Sequence, residues 1–335
     1  MSGEGTHIPG SSHAGGFDCV RRFLFGGAEI HQYGKGVRTV LHMDLHTEGW
    51  VGIPHGGIGM GAIADLAAML ESYPQDEAAL YPLSAEFRLG GASVRIGESV
   101  LVSVFPEDNG AGGIISAGKD APPYLTASLA FAKDDPERRD LFASYLPGRF
   151  EDIAAGLVDI PSYRNCFVCG IERRHPGLRR RFYLHDSGQA GRIVIARAGF
   201  DPEDRQSFHL FRRDGFVHPV ALIALLDEIV GWGGFLVAGS GGVTVRIGYT
   251  FYRPVEVQER IVAFGRGEKV KGRAGARLLF WASGGAAAVR DDGSLEPVIA
   301  VSAQYFGVPE LTEQMKAHLV PPDLTARLFA LTGFG

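Results

Sequence analysis

Two histidines, each followed at a set distance by acids inside an apolar run, are the residues of this chain best placed to do chemistry. PHGGIGMGAIADLAAML (Pro54 to Leu70) puts Asp65 ten residues after His55, and VHPVALIALLDEIVGWGGFLV (Val217 to Val237) puts Asp227 and Glu228 nine and ten after His218. Segments this apolar on every side become buried helices, where an unpaired carboxylate is expensive. A buried acid is therefore either a tuned proton acceptor or nucleophile, or one half of a structural network, for which Arg246 is a candidate partner.

The elements that would position these residues repeat. After the first apolar helix come the alternating stretches LSAEFRL (Leu83 to Leu89), SVLVSVF (Ser99 to Phe105) and YLTASLAFA (Tyr124 to Ala132). The second is followed by VTVRIGYTFYRPV (Val243 to Val255), RIVAFGRGEKV (Arg260 to Val270), ARLLFWASGG (Ala276 to Gly285) and VIAVSAQYFGV (Val298 to Val308). Period-two alternation with β-branched and aromatic residues predicts strands. A further strand pair is expected before each helix, in FLFGGAEIHQYGKGVRTVLHMDL and LRRRFYLHDSGQAGRIVIARAGF. Ser84 and Thr244 each open the strand after their helix, 29 and 26 residues past His55 and His218.

This organisation divides the chain into a flexible tail (1–16), a first domain (17–133), a partly helical linker (134–161), a second domain (162–309) and a C-terminal helical tail (310–335) packing outside the core. Two domains also suit the length of 335 residues. A net charge of −5 makes nucleic acid an unfavoured partner. No signal peptide is expected, and no uninterrupted apolar run of about 20 residues that would suit a membrane. Three cysteines fit a reducing compartment better than a disulfide framework, so the cytoplasm is expected.

The HGG loop, the buried helix with an acid about nine residues on, and the antiparallel strands that follow resemble the hot-dog fold. More closely they are similar to acyl-CoA thioesterases of the phenylacetate-degradation type. NCFVCGIERRHPGLRRRF (Asn165 to Phe182) resembles the CxxCG…GL opening of one thioesterase subgroup, and LLDEIVGW resembles its helix. The resemblance covers roughly Gly16 to Ala132 and Ser162 to Val308. It implies an α+β tandem (double) hot-dog, each half a curved antiparallel sheet wrapped around a long central helix, with the halves forming a pseudo-dimer.

In that family a backbone N–H just after the loop histidine polarises the thioester carbonyl at a helix N-terminus, and the facing unit supplies the acid. Gly56 fills the glycine position in the first half, whereas the second half has Pro219, which has no N–H. Asp227 stands at the family spacing, where the first half has Ala64 and then Asp65. The resemblance thus implies one composite catalytic site of Gly56, Gly57 and His55 facing Asp227 and Thr244, and a degenerate one of Asp65, Ser84, His218 and Glu228. Asp227 would serve as general base or as a nucleophile forming an anhydride, with His55 and His218 fixing their loops. The family's Asn or Gln six residues before the loop histidine is replaced by Gly49.

For the substrate, Arg212, Arg213 and Arg180 are candidate grips for coenzyme A phosphates, with Arg173, Arg174, Arg179 and Arg181 nearby, and Trp232, Trp50 and Phe235 could line an acyl pocket. The alternatives for these are a solvated strand face and plain core. Cys166 and Cys169 supply two ligands where a zinc site wants four. His175 and Cys19 are conceivable completions, but a packed turn is favoured and no metal is expected. No cofactor is expected beyond the coenzyme A of the substrate, and a homodimer of the whole chain is conceivable. The competing functions are a non-catalytic acyl-CoA or acyl-chain binding protein, and a hot-dog dehydratase or hydratase.

Overall fold

A computed structural model of the chain describes residues 17–154, 156–186, 191–200, 207–273 and 276–332, so the tail expected at 1–16 lies outside the described residues. Among them, thirteen strands join in one sheet. In chain order these are β1 (His31–Tyr33), β2 (Gly36–His42), β3 (Leu83–Leu89), β4 (Ser99–Glu107), β5 (Gly110–Ser116), β6 (Pro123–Ala130) and β7 (Val158–Asp159). The remainder are β8 (Phe182–Asp186), β9 (Arg192–Ala198), β10 (Gly242–Phe251), β11 (Ile261–Lys271), β12 (Leu278–Val289) and β13 (Leu295–Gly307). Their spatial order is β1-β2-β4-β5-β6-β3-β10-β13-β12-β11-β9-β8-β7, with antiparallel neighbours throughout.

Outward from the β3–β10 pair, the first half runs 3-6-5-4-2-1 and the second 10-13-12-11-9-8, with β7 added at its edge. The two orders are the same order. At the seam Leu83 faces Phe251 and Arg88 faces Arg246. Four strands here coincide closely with the alternating stretches of the sequence, and LSAEFRL is β3 residue for residue. β5, GAGGIIS, was not expected. Its glycines are demanded by packing, since a Cβ on Gly113 would lie 2.4 Å from the Ile63 side chain.

The helices that matter for the site are α1 (Phe17–Phe25), α2 (Gly56–Ala67), α3 (Pro136–Ala143), α4 (Pro219–Ala238) and α5 (Pro309–His318). By length and composition α4 could cross a membrane, but 83% of its apolar window is buried inside the protein. Leu222, Ile223, Leu225, Leu226, Ile229 and Val230 are each at most 3% exposed. Burial of a side chain of this size contributes about 1.5–3 kcal/mol. Such a face can carry two carboxylates into the interior.

α1 occupies the start of what the sequence suggested was a strand pair, and it ends at Gly26, whose φ of 61° suits the left-handed turn after a helix. In the expected linker, α3 lies over the seam. Its buried Arg138 donates to Thr250 Oγ1 at 2.9 Å and Ser302 Oγ at 3.1 Å, and pairs with Glu86. In the C-terminal segment α5 lies largely exposed but turns Met315, 2% exposed, into the main cluster.

Candidate functional site

The site is built where α2 meets α4. His55 caps α2, its Nδ1 accepting the Gly57 N–H at 3.1 Å. The two helices touch through glycines: a Cβ on Gly57 would lie 2.4 Å from Ala224 Cα, and one on Gly61 2.3 Å from Val220 Cγ2. Only glycine permits this approach. It carries Asp227 of α4 to the head of α2, where a Cβ on Gly56 would lie 3.1 Å from Asp227 Oδ2. Thr244, near the start of β10, donates to the other oxygen, Oδ1, at 3.1 Å.

Glu228 approaches the same histidine from its far side. Its Oε2 lies 3.3 Å from His55 Nε2, while Asp227 Oδ2 lies 3.6 Å from Nδ1. Glu228 Oε1 accepts from Trp232 Nε1 at 3.3 Å, from Cys169 Sγ at 3.2 Å and from Cys166 Sγ at 3.6 Å. Burial alone would keep His55 neutral, the form whose Nδ1 can accept from Gly57, but contact with Glu228 and the charge of Asp227 lift its pKa to about 9, and a proton on Nδ1 leaves the Gly57 N–H to Asp227. Burial would likewise raise Glu228, yet His55 outweighs it and holds that carboxyl below its usual range. For Asp227 burial wins over the attraction of His55, and its pKa is raised. The two neighbouring carboxyls are thus shifted in opposite directions, Glu228 toward its charged form and Asp227 toward its neutral one.

Both acids line a cavity of about 150 Å3 whose wall includes Gly56, Trp50, Trp232, Phe235 and Thr244. Leu311 and Met315 of α5 close one side of it. The head of α2, with first-turn N–H groups that have no carbonyl partner within the helix, abuts the polar end.

The other half repeats this with different parts. His218 caps α4, Nδ1 accepting the Val220 N–H at 3.2 Å, and its Nε2 meets Asp65 Oδ1 at 3.2 Å. Arg21 of α1 holds Asp65 Oδ2 at 3.3 Å. Burial would raise Asp65, but His218 and Arg21 hold it low. A cavity of about 310 Å3 opens beside His218 and Pro219, lined also by Tyr73, Tyr81 and Arg213.

The structure therefore brings together Gly56, Gly57, His55, Asp227 and Thr244, and separately His218 and Asp65. Glu228 departs from its expected place. Expected beside His218, it faces His55, because that ring and not its own half's lies across the α2–α4 contact. Ser84 pairs with Thr250 and Ala130 in the sheet, while Asp65 is held by His218 and Arg21. Arg246 pairs with Glu86, not with Asp227 or Glu228. Gly49 has a steric cause, for a Cβ there would lie 2.6 Å from His55 Cα.

Among the expected phosphate grips, Arg180 is 1% exposed, donates to Leu178 O and lies over the Phe208 ring, so it does not face solvent. Arg173 is buried too, bonded to the carbonyls of His46, Asn165 and His175. Arg212 is exposed beside His209, and Arg213 lines the His218 cavity rather than that of Gly56. Arg174, Arg179 and Arg181 are exposed. Trp232 and Trp50 do line the Gly56 cavity. His175 is exposed, and the side chain of Cys19 lies outside the described residues. Sequence reasoning missed the approach of Cys166 and Cys169 to Glu228, and the part of α5 in the cavity wall.

No family model and no curated protein matches the sequence. Solved structures do resemble it. A provisionally assigned thioesterase from Novosphingobium aromaticivorans matches at a TM-score of 0.50 and 9% identity, over 83% of this chain and 98% of that one. The fold is shared. A hot-dog protein from Alicyclobacillus acidocaldarius gives 0.45 at 12% identity over 89% and 100% of the two chains. The tesB protein of Mycobacterium avium subs paratuberculosis gives 0.48 at 13% identity over 88% and 100%.

Proposed function

We propose that the chain is a tandem hot-dog acyl-CoA thioesterase with one competent site, at Gly56 and Asp227. The observation that carries this is the seating of Asp227 Oδ2 against Gly56 at the head of α2, with Thr244 on Oδ1 and an apolar cavity alongside. A thioester whose acyl group fills that cavity would bring its carbonyl to the helix N-terminus, where the dipole stabilises a developing oxyanion. Asp227, its proton affinity raised by burial, would then take a proton from water or attack the acyl carbon itself. His55 holds the loop by capping it, and Thr244 fixes the carboxylate. At the other end of the helix pair, Pro219 offers no N–H and Asp65 is engaged by His218 and Arg21, so that site is left without both functions. The same chemistry in the parent fold needs two subunits; here the two halves of one chain stand in for them.

One observation favours the binding-only alternative. Gly49 cannot carry a side chain, so the extra polar contact that the resemblance leads one to expect near the carbonyl is missing. Thiol release from short, long and aromatic acyl-CoAs, compared between wild type and Asp227→Asn, separates the two. Hydrolysis expects turnover of some substrate and a loss of at least about 100-fold in the variant. If neither protein exceeds the background rate while acyl-CoA still binds, the chain is an acyl-CoA binder.

A further inference from the structure

On the far side of His55 from Asp227, four side chains with metal-binding chemistry converge, and of these only His55, through its cap, enters the hydrolytic scheme. We propose that His55, Cys166, Cys169 and Glu228 form a zinc site that ties the HGG loop of the first half to the turn and central helix of the second.

Ligand atoms of His55, Cys166 and Glu228 all lie within 4.8 Å of one another. Cys169 Sγ reaches the same carboxylate at 3.2 Å, Cys166 Sγ at 3.6 Å, and His55 Nε2 stands 3.3 Å from its second oxygen. Zinc bonds of about 2.0–2.3 Å in a tetrahedral shell set ligand atoms roughly 3.3–3.8 Å apart, so modest adjustment of His55, Cys166 and Glu228 would seat an ion, and Cys169, outside that trio but bonded to the same carboxylate, would turn in as the fourth ligand.

Two further features point to a ligand. The His55 ring is 2% exposed, yet its Nε2 makes no hydrogen bond even though Glu228 Oε2 is only 3.3 Å away. Ring and carboxylate are close but out of line for donor and acceptor, an arrangement that suits two groups converging on a shared ion. The cysteine turn also fixes a sulfur in place. Val168 and Cys169 both aim their N–H groups at Cys166 Sγ, each at 3.3 Å. The turn is fixed in place, since Phe167 N donates to Glu48 O at 2.7 Å and Gly170 N to Cys166 O at 3.0 Å.

Two sulfurs, one imidazole and one carboxylate select zinc over magnesium or calcium, which take oxygen ligands. Binding would release the two thiol protons. With its Nε2 lone pair on the ion, His55 would keep one proton on Nδ1, facing Asp227 Oδ2 at 3.6 Å, and the Gly57 N–H, which already reaches that carboxylate, would be left to it alone. Such a carboxylate–histidine–metal arrangement fixes ring orientation.

The test reads metal, not turnover, so it stands apart from the thioesterase assay. Reduced wild-type protein, purified without chelator, is analysed for zinc, then stripped and titrated with Co2+ while the sulfur-to-cobalt charge-transfer band is followed. The proposal expects stoichiometric zinc and a strong band. Cys166→Ser and Glu228→Gln should weaken zinc binding beyond the roughly 10- to 100-fold that loss of an outer-shell partner costs. Asp65→Asn, in the other site, should leave it unchanged. The proposal is overturned if folded, reduced wild type gives neither zinc nor a cobalt band, or if zinc binds equally well to the Cys166 and Glu228 variants. The cluster would then be a thiol–carboxylate hydrogen-bond network.

Discussion

Asp65 and Glu228 are counterparts: each lies ten residues after the capping histidine of its own half, and each faces the ring of the other half's histidine, at 3.2 Å to His218 and 3.3 Å to His55. Asp227 has no such counterpart, since Ala64 holds its position in α2. The repeated feature is a crossed histidine–acid pair; the single feature is the carboxylate proposed as catalytic.

The His218–Asp65 pair should therefore matter to stability. Asp65→Ala strands the buried His218 ring, and breaking a buried pair from one side costs about 3–5 kcal/mol. Urea denaturation checks this, while residual folded protein should keep the hydrolytic activity proposed for the Gly56 site.

Removing the hydroxyl that holds Asp227 should slow turnover without abolishing it. Thr244→Val loses a hydrogen bond to a charged group, worth about 1.5–3 kcal/mol, or roughly 10- to 100-fold in rate. That bond lowers the Asp227 pKa, so the acid limb of the kcat/KM profile should also move to higher pH. A pH–rate comparison with wild type reads both.

Gly49→Asn introduces the residue that the resembled thioesterases carry at this position, and it should weaken the fold rather than raise activity. The new Cβ would overlap His55 Cα at 2.6 Å, and overpacking of this kind costs about 1–3 kcal/mol. A fall in the urea midpoint with no gain in turnover is the expected result.

For pH, the sign follows from His55. Its folded pKa of about 9 exceeds the ordinary 6.5, so its contribution to stability is complete below pH 6.5 and is lost as pH rises towards 9. Asp65 acts oppositely: held low in the fold, it stabilises above its ordinary 3.8 and ceases to do so as pH falls below that. Denaturation of chelator-treated protein across pH should show both limbs, and His55→Gln should flatten the alkaline one.

The sequence made the strands legible where one face is buried and the other wet, as in LSAEFRL, because alternation records that contrast directly. It concealed β5 because GAGGIIS is shaped by the Ile63 and Phe105 side chains that press on it, and glycine carries no pattern. The shared ten-residue spacing of Asp65 and Glu228 was visible from the start. What spacing could not show is which ring each acid faces, since that depends on how α2 and α4 cross. The gathering of Cys166 with His55, 111 residues apart, was hidden for the same reason.

The β3–β10 seam has one more implication. In a symmetric pair of identical subunits, every substitution is written into both sites at once. Here the two ends of the helix pair are encoded by separate residues, so Gly56 can stay glycine while Pro219 closes the opposite loop. With both halves in one chain, one end can serve as a structural joint while, on the proposed function, its twin keeps the parts for chemistry.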